Sequence, residues 1–154
     1  MVIDKIKMSK QKLLNKIIDE QQKIIENLEV NVERFRKASD LDEDSTLNPQ
    51  DFSHQTEAKD MQLRFEKMLN SSRKDLNFLK NLSPEKLNRI EKGSMIETEK
   101  KYFFVGVSTA NFKFENKEVI CFSEEAPIFK KLKNKKIGDT FKIGENELKI
   151  LNIQ

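Results

Sequence analysis

Tryptophan is absent from this 154-residue chain, cysteine and histidine occur once each, and there are only four glycines and three prolines. Each shortage closes a class of answers. One cysteine, Cys121, cannot form an intramolecular disulfide, and one histidine, His54, cannot supply a multi-histidine metal site within one chain. No apolar run is long enough to span a bilayer and no signal peptide is evident, so the expected location is the cytoplasm, with no membrane partner. A large charge of one sign is also lacking. With 29 Lys and Arg against 26 Asp and Glu, the net charge of +3 is too near balance for a nucleic-acid backbone binder. The 11 Phe and single Tyr do not cluster into a base-stacking platform. The expected partner is therefore a protein, with no sequence-specific DNA binding.

What the chain does have is charge and helical periodicity. Charged and hydrophobic residues each make up 36% of it, a composition that suits a coiled coil with solvated outer faces. From residue 1 to about 36, Leu14, Ile18, Ile25, Leu28, Val32 and Phe35 fall on alternating three- and four-residue steps, with Gln21 interrupting the seam. A second helix is predicted over 53–82, with Ala58, Met61, Phe65, Met68, Leu69, Ser72, Leu76 and Leu79 as its apolar face. Between them, residues 38–52 carry Asp40, Asp42, Glu43, Asp44, Asn48, Pro49 and Asp51, which favour turns. The two helices should pack antiparallel, with an acidic tip near 38–57.

Ser83-Pro84-Glu85 resembles a helix start, with Ser83 as N-cap and Pro84 in the first turn, running through Leu87 and Ile90 to Gly93. Beyond it the pattern becomes that of strands: 95–98, 102–108, 112–114, 119–122, 140–143 and 148–153. A short helix from Pro127 to about Lys133 interrupts them, its Ile128, Phe129, Leu132 and the later Ile137 expected to turn inward while Lys130, Lys131, Lys133, Lys135 and Lys136 are solvated. Cys121 reads as a small core hydrophobe. The fold class is α+β: residues 1–82 a helical hairpin, 83–92 a linker or short helix, and 93–154 a small antiparallel β domain with one short helix.

The run Ala126-Pro127-Ile128-Phe129-Lys130-Lys131-Leu132-Lys133-Asn134-Lys135-Lys136-Ile137-Gly138-Asp139 resembles the Ser-Pro-Ile-Ala-x-Ala-Leu-x-Gly-Lys-x-Val-Gly-Asp signature of the Gre transcript-cleavage factors. An Ile-Leu-x-Ile close follows at 150–153, as in that family. The resemblance implies an FKBP-like C-terminal domain that docks on the rim of the RNA polymerase secondary channel through Glu125, Ala126 and Pro127. It also implies a hairpin whose tip approaches the active centre. The family tip, Asp-Leu-Ser-Glu-Asn-Ala-Glu, is matched here by Asp51-Phe52-Ser53-His54-Gln55-Thr56-Glu57, with His54 in place of the glutamate that helps hold a catalytic magnesium ion.

An imidazole is a poor magnesium ligand, because that ion takes hard oxygen donors. The leading reading is therefore a regulator that is not itself an enzyme, modulating polymerase elongation with the hairpin tip, and with Asp40, Asp51 and His54 at that tip. No metal is expected in the free protein, and at most magnesium is shared with the polymerase active site. The alternative is a true cleavage factor in which Asp51, with either Glu57 or the acids Asp42, Glu43 and Asp44, positions that magnesium. A further alternative is a coiled-coil interaction module unrelated to polymerase.

Overall fold

The computed structural model describes residues 2–40, 49–83 and 85–154, residues 2–9 and 51 by backbone alone. Two long helices, α1 (Val2–Ser39) and α2 (Pro49–Asn81), precede six strands and one short helix. The strands are β1 (Met95–Thr98), β2 (Lys101–Val105), β3 (Phe112–Phe114), β4 (Lys117–Phe122), β5 (Thr140–Ile143) and β6 (Asn146–Ile153), with α3 (Pro127–Leu132) between β4 and β5. This is an α+β chain. It divides into two compact units, one holding α1 up to Glu20 together with Phe78–Gln154, the other Gln21–Asn77.

The second unit is an antiparallel helix pair. Ile25, Leu28 and Leu69 form its buried centre, with Ile24, Val32, Phe65 and Leu76 packed against it. Phe35 stacks on Phe65 at 5.5 Å between ring centroids. Of the predicted α1 seam Leu14, Ile25 and Leu28 are buried and Ile18, Val32 and Phe35 half-buried, and Gln21 stands among them as a seam residue, 2% exposed. Its Nε2 donates to the Ser72 carbonyl at 2.9 Å, whereas its Oε1 is buried with no hydrogen-bond partner. The α2 seam corrects the sequence reading at Met61 and Met68, which both fall outside it, Met61 half-buried. Met68 is 52% exposed, and buried Gln62 takes a slot instead. The reason is spacing: 58, 62, 65, 69, 72, 76 and 79 keep alternating steps of four and three, and positions 61 and 68 fall outside them. The helix also starts four residues earlier than predicted, because Pro49 suits a first turn whose N–H groups have no intrahelical partner.

In the first unit the strands form one sheet, in the order β3-β4-β2-β1-β6-β5. Every pairing is antiparallel except β2 with β4, which run parallel with Phe103 beside Ile120. Both faces of the central strands are buried, which is why β2 and β4 read as continuous apolar runs. Side chains alternate between two cores. Met95, Tyr102, Phe104, Val119 and Cys121 meet Leu13, Leu14 and Ile17 of α1 and Leu79 of α2. Ile96, Phe103, Val105 and Phe122 meet Leu132 of α3 on the other face, with Ile90, Phe141, Leu148 and Ile150. Cys121 is thus the core residue its strand pattern suggests, and burial raises its thiol pKa to about 11.

No helix forms between Leu82 and Ser94 among the described residues, contrary to the expected restart after Ser83; Pro84 lies outside them. Local side-chain bonds and one tertiary contact take the backbone groups of this stretch. The Glu85 N–H donates to the Ser83 hydroxyl at 3.3 Å, while the Glu85 carbonyl accepts from the Lys10 ammonium at 2.9 Å. Further on, the Arg89 carbonyl accepts from the Ser94 hydroxyl, and Ile90 is drawn into the core under the sheet. Gly93 then turns at φ +100, a conformation that L side chains rarely adopt, and donates to the Val105 carbonyl at 2.7 Å.

Candidate functional site

The segment 126–139 begins just beyond the end of β4. A turn at Ser123, closed by the Ala126 N–H donating to the Ser123 carbonyl at 3.1 Å, leads to Ala126 in extended conformation as the helix N-cap. Pro127 follows as the first helical residue, where its missing N–H costs nothing. An alanine N-cap provides no side-chain hydrogen bond. What holds this short helix is packing: Leu132 is fully buried, and Ile128, Phe129 and half-buried Ala126 lie against the same core. Glu124, Glu125 and Pro127 are left exposed at its head.

The Gly-Asp pair that closes the segment has a structural role. The Asp139 carboxylate accepts from the Lys136 N–H at 2.7 Å, and the Asp139 N–H donates to the Lys136 carbonyl at 2.9 Å, closing a turn. Gly138, at φ +93, donates to the Ile150 carbonyl while the Ile150 N–H donates to the Asp139 carbonyl, the pattern of a glycine-led β-bulge. Ile137 sits inside that turn and is 53% exposed, which corrects its expected inward orientation.

The exposed face of α3 adds Pro127 to the lysines expected to be solvated. Pro127, Lys130, Lys131 and Asn134 are all exposed, and their spacing of three and four residues puts them on one side of the turn. Lys131 donates to the Lys142 carbonyl of edge strand β5 at 3.3 Å. None of these lysines has a carboxylate partner in the ion pairs described. The signal was available in the i, i+3, i+4 spacing from Pro127.

Where α1 ends in the helix pair, Ser39 is buried. Its hydroxyl is within reach of the Arg36 carbonyl at 2.9 Å and Gln62 Oε1 at 3.3 Å, and its carbonyl accepts from Gln55 Nε2 at 2.7 Å. Exposed Asp40 follows, beside an open groove of about 370 Å³ lined by Ser39, Asp40, Gln55, Thr56, Lys59 and Asp60. Exposed His54 and Glu57 stand one turn apart with 3.8 Å between Nδ1 and Oε2. Asp42, Glu43 and Asp44 lie outside the described residues, as does the side chain of Asp51.

The described side chains at this end do not by themselves make a magnesium site. The match to the family tip falls on continuous helix, where positions 51 and 57 stand about 120° apart around the axis, so helical geometry alone does not converge them on one cation. Among the described residues there is no group of three or more His, Cys, Asp or Glu placed to hold a metal. The described residues also include no helix long and apolar enough to cross a membrane.

No family model matches the chain, and no curated protein does. Among solved structures it is similar to GreA factor homolog 1 of Thermus thermophilus, with 16% identity, 93% of each chain covered and a TM-score of 0.33.

Proposed function

We propose that this chain is a Gre-type factor that binds RNA polymerase through the turn at residues 125–127 and modulates elongation. One observation carries the reading. Glu125 and Pro127 are exposed at the head of a helix anchored by buried Leu132, within the segment that resembles the Gre signature. A carboxylate and a pyrrolidine ring held on a packed turn form a small preorganised contact, and preorganisation reduces the ordering cost of binding. The antiparallel helix pair is the element that, by the same resemblance, approaches the polymerase active centre. Because His54 stands where the resemblance expects a glutamate that helps hold magnesium, the role proposed is modulation by binding.

The test is gel filtration of the purified chain with core RNA polymerase, followed by affinity measurement for Glu125→Lys and Pro127→Gly. Charge reversal at a contact places like charges together, and should weaken binding by about tenfold or more. The Pro127→Gly change loosens the first helical turn and should act in the same direction. A parent chain that does not comigrate with polymerase, or two variants that bind as tightly as it does, removes the proposal.

A further inference from the structure

We infer that the lysine-bearing face of α3 extends the docking surface and selects an acidic patch on the partner protein, next to the patch that receives Glu125 and Pro127. The inference rests on the proposed polymerase binding and adds the charge that the partner must present. Its basis is the helix geometry. Lys130 and Lys131 lie three and four residues beyond Pro127, so their β-carbons stand about 5–6 Å from that of Pro127. Both lysine side chains therefore leave the helix beside Pro127, on the face that a partner touching Pro127 would cover.

Among the described residues neither group is paired with a carboxylate. The one polar contact described for Lys131 is the Lys142 carbonyl, and no carboxylate pairs with Lys130, Lys131 or Lys133 in the ion pairs described. Buried Leu132, with Ile128 and Phe129 packed against the same core, fixes which side of the helix the lysines occupy. A neutral or basic partner surface would meet uncompensated positive charge there, whereas an acidic one is attracted and oriented.

The same geometry argues against a phosphate backbone as the ligand. Exposed Glu124 and Glu125 stand at the head of this helix, and their carboxylates would repel a uniformly anionic strand. A protein surface can present a basic group to Glu125 and acidic groups to the lysines. The face is bipolar, and so is the partner surface it requires.

The experiment measures binding of the full chain to core RNA polymerase by fluorescence anisotropy at several salt concentrations. It compares the parent, a Lys130→Glu/Lys131→Glu variant, and a Lys100→Glu/Lys113→Glu control. The control carries the same change in net charge at two exposed positions away from α3. The α3 variant should bind about tenfold more weakly at low salt, with the gap closing as salt rises, while the control stays near the parent. Circular dichroism confirms that both variants are folded. If the parent binds and the α3 variant matches it or the control, this inference fails while polymerase binding stands. If the parent does not bind, both fall. A parallel titration with a DNA duplex also overturns it, should the parent bind the duplex and the α3 variant lose that binding without losing affinity for polymerase.

Discussion

Replacing Lys10 with methionine should give a stability difference whose size depends on pH. Lys10 shares a helix face with Leu13, Leu14 and Ile17, at i, i+3, i+4 and i+7, and only 1% of it is exposed. Its ammonium donates to the Glu85 carbonyl, yet burial, partly opposed by the charge of Glu91, lowers its pKa from 10.5 to about 8. Between those two values the unfolded chain holds a proton that the folded chain has released, so this group makes stability rise with pH across the window. Below pH 8 both states are protonated and the group contributes no slope. At about 1.4 kcal/mol per pH unit, the window corresponds to roughly 3 kcal/mol by which the fold disfavours the charged lysine at neutral pH.

Methionine keeps most of the apolar stem and removes the charge, while losing a hydrogen bond worth about 1 kcal/mol. The K10M variant should therefore be more stable than the parent by about 2 kcal/mol at pH 7, with the advantage shrinking above pH 8 and gone near pH 10. Urea unfolding followed by circular dichroism at pH 7, 8, 9 and 10 reads this directly. Comparing variant with parent matters, because Cys121 acts with the opposite sign. Its thiol pKa is raised from 9.0 to about 11, so the folded chain keeps a proton that the unfolded chain releases, and stability falls with pH over that range. That contribution cancels in the difference. A variant-to-parent gap that stays constant to within about 0.5 kcal/mol over the series would refute the account of Lys10.

Gln21→Leu should stabilise the chain by about 1–2 kcal/mol, because it removes a buried oxygen that has no partner; urea unfolding that shows a loss instead would mean that the bond to Ser72 outweighs it. Gly106→Ala should destabilise by about 2 kcal/mol or more, since the backbone lies at φ +144 and a β-carbon would come within 2.8 Å of Phe78 Cε1. Gly138→Ala, at φ +93 but with nothing within 4 Å, should lose only about 1 kcal/mol, and equal thermal shifts for the two would show that the Phe78 contact carries no weight.

Much of the fold was legible because each strand and helix carries its own period. The three-and-four spacing of Leu14, Ile18, Ile25, Leu28, Val32 and Phe35 marks a seam, and the strand over 95–98 and that over 112–114 coincide with the observed β1 and β3. The misreadings share a cause. Met68 and Ile137 are apolar by composition but stand where the helix phase or a turn points them outward. Gln62 and Lys10 are polar by composition but stand where the phase points them inward, and polarity masked the position. At the candidate site, the Glu125-Ala126-Pro127 turn was readable as a motif. Inward Leu132 and the solvated Lys130 and Lys131 were legible as well, and the structure adds that Pro127 is exposed beside them.

Local sequence, then, determined which segments are helix and which are strand, because periodicity and turn residues act over a few neighbours. Only the tertiary structure decided the parallel pairing of β2 with β4, the unwound path from Leu82 to Ser94 and the burial of Lys10. Each of these depends on which distant group accepts a backbone or side-chain hydrogen bond. Glu85 and Lys10, 75 residues apart, are joined by a bond that no local pattern encodes.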